Sequence, residues 1–381
     1  MKNKLNQWRA LFPSTQHGVY VNHAACSPVS TRVKSAIDEL LTVSSTTHVD
    51  NFPVWMETRE SLRGILAQML HTLPARIGFV KNTSAGLNIL ADGLSWERGD
   101  HILIAEGEFP SNVYPFLKLQ DRGVRVEFVP TPTGRFTTDD FVSRFTAATR
   151  LVSVSFVQYH NGFRADLEAL GRACHARGIL FCVDGIQGVG AVPLDVTKTH
   201  VDFLSNGGHK WLMAPGGLGF VYVGEQLIDR LTVQQVGWLS VKHPWNLREY
   251  ALDFPEDARR FELATENMLG IYGMKASVSL LMEVGIENIF YHITALIDLL
   301  AQGLNEQGWI IRSDLTSTHR SGIISFQSRN EQSIPTKNVF EKLMQSGITV
   351  SYRDGAIRVS PHFYNTENEI RQILEKLNAW V

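Results

Sequence analysis

Cysteine is scarce in this chain. Cys26, Cys174 and Cys182 are the three in 381 residues, widely spaced and odd in number, which argues against a disulfide framework. They fit a reducing compartment, and the sequence predicts a cytoplasmic protein. None stands at metal-ligand spacing from another, and no Cys/His cluster has the pattern of a zinc site, so no metal is expected. Runs of one charge are missing too. Lysine and arginine never run longer than a pair, and the formal net charge is −2. Nucleic-acid binders usually carry a basic excess or stripe, so nucleic acid is not an expected partner. No apolar stretch approaches the length of a membrane span, and no membrane association is expected. Residues 1–16 are polar and basic and lack the apolar core of a signal peptide. Repeats, low-complexity tracts and flexible linkers are absent. What is present, 44% hydrophobic and 19% charged residues, is the balance of an ordinary globular chain. Its length exceeds that at which one core keeps growing, so two domains are expected.

Apolar runs at 77–80, 101–105, 124–129, 151–157, 179–183, 201–204 and 218–223 alternate with helical patterns. That rhythm predicts an α/β fold: three layers, with a mostly parallel sheet covered on both faces. Ahead of it, Ser30-Thr31 can cap a helix over 31–41, and 55–73 reads as a second amphipathic helix. After Arg230 the rhythm stops. Residues 234–261 are irregular and aromatic, with Trp238, Trp245 and Tyr250. Two apolar helices follow, broken at Gly285. Short strands at 323–326, 348–350 and 357–359, and capping-box spacing at Thr366 and Glu369, predict a smaller α+β unit. The expected division is an N-terminal segment at 1–30, a large domain at 31–265 and a small domain at 266–381.

In open α/β sheets ligands lie beyond the carboxyl ends of the strands. Asn82-Thr83-Ser84, Phe109, Tyr159, Asp184 and Ser205 are all expected just past a strand end. Asp184 closes an apolar run, where a carboxylate is costly unless it is paired. Lys210 follows at a separation of 210 − 184 = 26 residues, between His209 and Trp211 and among glycines at 207, 208, 216 and 217. Such glycines let backbone approach a ligand. A lysine amine of lowered pKa forms Schiff bases with carbonyls. An acid and an amine so placed can grip the two ends of a flat, charged cofactor. Thr83-Ser84 offers hydroxyls and helix N-terminal amides to an anion, though any N-cap looks alike. Phe109, next to Pro110, suits an ordinary core. Arg358 suits either a surface ion pair or a bidentate grip on a carboxylate.

Seven motifs in order carry a resemblance that covers nearly the whole chain: Asn22-His-Ala-Ala, Asn82-Thr-Ser-Ala, Glu108-Phe-Pro-Ser-Asn112, Val183-Asp-Gly-Ile-Gln187, Gly208-His-Lys-Trp211, Thr265-Glu-Asn267 and Arg358-Val-Ser-Pro-His-Phe-Tyr-Asn-Thr366. The sequence resembles the class V aminotransferase group of pyridoxal-phosphate enzymes. That group includes cysteine desulfurases, selenocysteine lyases, kynureninase and isopenicillin N epimerase-like proteins. The resemblance implies the fold of type I pyridoxal-phosphate transferases and a homodimer with shared active sites. It implies that Lys210 binds the cofactor aldehyde and shuttles the substrate's α-proton, and that Asp184 keeps the pyridine nitrogen protonated. Phe109 would stack on the ring, Gln187 would bond its phenolic oxygen, and Tyr159 or Gln158 would approach the same edge. Ser84, Ala85 and His209, joined by Thr83, would hold phosphate, with Thr265 reaching in from a second subunit. Arg358 would fix the substrate carboxylate, and Asn22 and Ala24 would line the substrate side.

The implied activity is that of an enzyme acting on an α-amino acid, as a transaminase or a C–S or C–C lyase. An epimerase or racemase, or a catalytically silent binding descendant, is the alternative. The chain departs from the family pattern in three places. Residues 343–355 hold no cysteine where desulfurases carry theirs, which disfavours a persulfide-forming reaction. Gly207 stands where many desulfurases place a phosphate-binding serine, and Ser205 is expected to compensate. Glu266 replaces a proline common after the threonine. Trp55, Trp238, His362 and Arg353 are candidates for the side-chain pocket, and Cys26 lies near the supposed substrate side.

Overall fold

The structure, a computed structural model, describes residues 4–47 and 49–380. Its centre is a seven-stranded sheet: β1 (Ile77–Val80), β2 (His101–Ala105), β3 (Arg125–Val129), β4 (Thr149–Ser155), β5 (Leu180–Asp184), β6 (Phe203–Gly207) and β7 (Gly219–Val223). The spatial order is β1-β7-β6-β5-β4-β2-β3. Strand β7 runs antiparallel to both its neighbours, and every other pairing is parallel.

Alternation along the strands explains the three layers. Ile102 and Ile104 join one apolar cluster with Leu87, Leu151, Cys182 and Phe203, while Leu103 and Ala105 join the other with Val152, Phe181 and Leu204. Successive side chains point to opposite faces, so both faces must be covered, and strands of this kind read as continuous apolar runs. The longer helices are α1 (Thr31–Thr46), α2 (Phe52–Met69), α3 (Thr83–Gly93), α4 (Leu167–His175), α5 (Met268–Val284), α6 (Ile286–Glu306), α7 (Thr336–Gln345) and α8 (Glu367–Asn378). Their starts follow the sequence. Ser30 caps α1 at the Val33 amide, Asp166 caps α4 at Ala169, and Thr366 with Glu369 forms a capping box on α8. Gly285, at φ +87°, turns the chain between α5 and α6, which bend by 76°. Among the described residues no single helix is long and apolar enough to cross a membrane. Helix α5 instead packs against α1 and α2.

The C-terminal part carries a four-stranded antiparallel sheet of β8 (Ile310–Ile311), β9 (Ile324–Gln327), β10 (Ser351–Arg353) and β11 (Ala356–Val359), in the order β10-β11-β9-β8. Two details differ from the sequence expectation. The run at 348–350 does not join this sheet. Its Ile348–Thr349 pairs in parallel with Val19–Tyr20, and an Asn22–Ser360 bridge extends the seam. The N-terminal segment is thereby sewn to the C-terminal unit, which positions residues 22–27. The second difference is β6, which runs on through Gly207 because its ladder with β7 continues to Gly219. Ser205 therefore lies inside a strand, not past its end.

Candidate active site

The row Ser155, Asp184 and Ser205 runs in register across β4, β5 and β6. Asp184 ends β5 and is 1% exposed. Its Oδ1 accepts from the Ile186 amide at 3.0 Å, while Oδ2 is buried with no hydrogen-bond partner. Burial pushes this carboxyl up to about 7, and nearby Glu108 adds to the rise, against the Ile186 hydrogen bond and the Lys210 charge. Lys210 is held by its main chain. Its carbonyl accepts from Ser27 Oγ at 2.6 Å and from the Met213 amide at 2.9 Å. Burial lowers its ammonium to about 8 against the pull of Asp184, and the Arg358 and Arg353 guanidinia push it further down. The amine lies 5.5 Å from the centre of the Phe109 ring.

Phe109 is anchored from behind by Glu108, to which sequence reasoning assigned no role. The Glu108 carboxylate is buried and accepts from Asn112 Nδ2 at 3.1 Å, the Ser155 amide at 2.7 Å, Ser155 Oγ, and Gln158 Nε2 at 2.6 Å. It ties the Phe109 turn to the loop of Gln158 and Tyr159. The rings of Phe109 and Tyr159 meet edge to face at 5.3 Å. The signal was present in the sequence as an acid inside a motif, but its burial was not legible.

Arg358 on β11 is 2% exposed. Its Nη1 donates to the Tyr159 carbonyl at 2.6 Å and its Nη2 to Ser351 Oγ at 3.3 Å, while Nε is buried without a partner. No carboxylate among the described residues forms an ion pair with it. Ser351, also missed from sequence, passes the connection on to Asn22 Oδ1. Ala24 is fixed by its main chain, with its N–H on Ser360 Oγ at 3.0 Å and its carbonyl accepting from Gln187 Nε2 at 2.9 Å. Cys26 is exposed, and the next residue, Ser27, bonds the Lys210 carbonyl.

The anion end lies at the start of α3. Asn82 caps the helix by accepting from the Ala85 amide at 2.9 Å, so that N–H is already committed, contrary to the expectation for Ala85. Thr83 Oγ1 is buried and unpartnered, and Ser84 Oγ donates to Ser111 Oγ at 2.8 Å. A Cβ on Gly207 would come within 3.3 Å of Thr83 Oγ1 and 3.4 Å of His209 Nδ1, so the glycine keeps this corner open. Burial, and then Lys210, lower the His209 pKa, favouring the neutral ring. Ser205 does not face this corner: its hydroxyl donates to the Thr83 carbonyl at 2.8 Å and is fully buried. It braces the helix start and does not compensate for Gly207. Gln187 is also engaged, giving its Nε2 to Ala24 and accepting from Trp211 Nε1 at 2.9 Å, which leaves one N–H hydrogen for a ligand. Thr265 is exposed and lines a cavity of about 700 Å³ together with Lys81, Ala85 and Glu266.

Of the pocket candidates, His362 is fully buried, with Nε2 3.1 Å from the Trp211 carbonyl, and belongs to the core. Trp55 and Trp238 form an aromatic cluster with Phe52 and Trp245, at centroid distances of 5.1 Å for Phe52–Trp55 and 5.2 Å for Trp238–Trp245.

A buried acid at the end of its strand, a lysine whose pKa burial lowers and a helix start with an unpartnered threonine hydroxyl are the parts that a type I pyridoxal-phosphate site requires. Residues 19–373 match the family model described as Aminotransferase class-V, and the chain belongs to that family. The family is pyridoxal-phosphate dependent, and its members are enzymes. An uncharacterized aminotransferase, YcbU, of Bacillus subtilis is 26% identical over 387 residues, spanning 100% of this chain and 99% of that protein. A probable cysteine desulfurase of Pyrococcus abyssi is 28% identical over 387 residues, covering 97% and 96%. Among solved structures, the apo cysteine desulfurase of Thermococcus onnurineus superposes with a TM-score of 0.87 at 25% identity, covering 97% and 96%. The cystine C–S lyase C-DES, in complex with cysteine persulfide, shares the fold with a TM-score of 0.90 at 24% identity, covering 97% and 99%.

The residues present fit the cofactor. The unpartnered Asp184 Oδ2 can accept from a protonated ring nitrogen, Lys210 offers the amine, and Thr83 with the α3 start offers donors to phosphate.

Proposed function

We propose that this chain acts on an α-amino acid, with Arg358 holding the substrate carboxylate and Lys210 as the amine that would hold the cofactor. The observation that carries this reading is that three of the buried polar atoms left without partners among the described residues, Asp184 Oδ2, Thr83 Oγ1 and Arg358 Nε, belong to side chains the family resemblance places at the cofactor and substrate. Each is costly to leave unmet, and together they match a pyridinium, a phosphate and a carboxylate.

Bound there, pyridoxal phosphate supplies an aldehyde that condenses with amines and a ring that accepts electrons. Asp184 would keep a proton on the ring nitrogen, and Phe109 would face the ring. Lys210 would take the proton from the substrate α-carbon, and its lowered pKa suits that work near neutrality. Transamination or lyase chemistry follows from these parts. Residues 343–355 carry no cysteine, so a sulfur-accepting thiol on this stretch is not part of the proposal. We also propose a homodimer in which Thr265 of a second copy completes the phosphate site; the exposure of Thr265 leaves it free for such a contact.

Replacing Lys210 by alanine is expected to abolish the visible absorbance of the protein-bound cofactor, with no amino acid restoring turnover. An unchanged spectrum would remove Lys210 from its role.

A further inference from the structure

The hairpin of β10 and β11 carries a second arginine. Ser351 stands opposite Arg358 in the ladder, Tyr352 opposite Ile357 and Arg353 opposite Ala356. Side chains alternate along a strand, so Arg353, two residues beyond Ser351, shares the face that bears Ser351 and Arg358. Arg353 and Arg358 are diagonal neighbours across the pair, a spacing of roughly 7–8 Å that long side chains readily span. The turn at Asp354 and Gly355 is pinned by Arg312, whose Nη1 donates to the Asp354 carbonyl. The hairpin is therefore a fixed platform, with its inner arginine buried and its outer arginine exposed.

The outer arginine is open. Among the described residues no acid forms an ion pair with Arg353, Asp354 included, and its recorded hydrogen bond is a local one to the Tyr352 carbonyl at 3.0 Å. The hairpin register sets it beside Arg358, toward the exposed end of the site, and its charge helps lower Lys210 and Arg358. Against these cations the mouth offers Asp354 on the same turn, while Asp184 lies at the inner end beside Lys210. Two unpaired guanidinia on one face exceed what a single substrate carboxylate requires.

We propose that Arg353 binds a second carboxylate, carried on the substrate's side chain, so that the preferred substrates are dicarboxylic α-amino acids. This rests on the α-amino-acid reading above, in which Arg358 takes the α-carboxylate. The guanidinium fork is suited to bidentate recognition of a carboxylate, and its exposed position leaves room for side chains of different length. An exposed charge of this kind sets preference and is screened by salt.

The test titrates the holoenzyme with L-alanine, L-aspartate, L-glutamate and L-2-aminoadipate, following the cofactor spectrum. The best of the three acidic amino acids is expected to bind at least about tenfold more tightly than alanine, a difference of one charge-assisted contact. In Arg353→Ala that preference ratio is expected to fall by about tenfold, and Arg353→Lys to recover part of it. Added salt should lower the wild-type ratio and leave the Arg353→Ala ratio little changed. If alanine perturbs the spectrum and the acidic amino acids bind no better, or if Arg353→Ala keeps the ratio, this proposal is overturned while the amino-acid reading stands. If none of the four perturbs the spectrum, both fall.

Discussion

Arg63 and Asp184 are both buried charges, and they are treated in opposite ways. Arg63, on α2, is 1% exposed and has every edge of its guanidinium occupied. It holds Glu262 through Nη1 at 2.7 Å and Nη2 at 3.1 Å, and Glu60 through Nε and Nη2, both at 3.0 Å. It also donates to the Ile77 carbonyl and stacks over Phe79 at 4.7 Å. Burial alone would lower its pKa, but Glu262 and Glu60 together more than offset that and raise it. Glu262 in turn accepts from the Phe79 amide at 2.9 Å, so the cluster staples α2 to the β1 edge and to the segment before α5. Asp184 has no cation in hydrogen-bond contact and keeps an oxygen unmet. The comparison separates charge that builds the fold from charge that the proposed function gives to a ligand: the first is satisfied within the chain, the second is not.

The largest effect should come from breaking the satisfied cluster. Glu262→Gln removes one partner of a buried pair and is expected to cost about 3–5 kcal/mol of stability, read from denaturant unfolding. At a temperature where the variant remains folded, the cofactor spectrum should be retained. A variant of wild-type stability would show that the cluster is not what holds α2 to the sheet.

Asp184→Asn tests the other side. The amide keeps the shape but cannot carry the charge that holds a proton on the ring. Turnover is expected to fall about a hundredfold or more, the scale of a lost acid–base partner. Stability should not fall, because no internal ion pair is broken. The pH sign agrees. A carboxyl raised to about 7 in the folded chain is protonated where the unfolded one has ionised. Its stabilising contribution is full below the unfolded value of 3.8 and is lost as pH rises through about 7. In protein freed of cofactor, Asp184→Asn should flatten that part of the pH–stability curve. A loss of stability in Asp184→Asn would place Asp184 with the structural charges.

How much of this the sequence disclosed follows from the same physics. Strands buried on both faces read as apolar runs, which made the interior strands legible, and the partly exposed edge strand β3 still showed as a short apolar run; strand ends shifted by at most three residues. The capping residues Ser30, Asp166 and Thr366 were legible because capping is local. Asp184 and Lys210 stood out because a charge after an apolar run, or among glycines, is locally unusual. Glu108, Ser351 and Glu262 were not legible. Glu108 lay inside a motif, but its burial depends on Ser155, 47 residues away; Ser351 and Glu262 meet Arg358 and Arg63, 7 and 199 residues away, with nothing nearby to mark them. Ser205 was misplaced because strand length depends on the neighbouring strand, which here carries β6 two positions beyond Ser205.

Glu266 stands between the two cases and gives the smallest predicted effect. It borders the satisfied cluster, yet neither of its oxygens has a hydrogen-bond partner, and Arg59 Nη1 approaches only to 3.8 Å. Arg59 is already committed to Glu262 at 3.0 Å. Burial, and then the charge of Glu262, push the Glu266 carboxyl up to about 8. Its stabilising contribution is full below the unfolded value of 4.5 and is lost as pH rises through about 8. Glu266→Gln should therefore match the wild-type thermal midpoint at low pH and exceed it increasingly as pH rises toward 8 and above. That result would class Glu266 with the charges the chain leaves unmet, beside Thr265 on the shared cavity. The opposite result, a lower midpoint accompanied by dissociation at low protein concentration, would mean that a basic group of a second subunit meets Glu266. The cavity would then be a satisfied interface, and the unmet charge would be confined to the cofactor site.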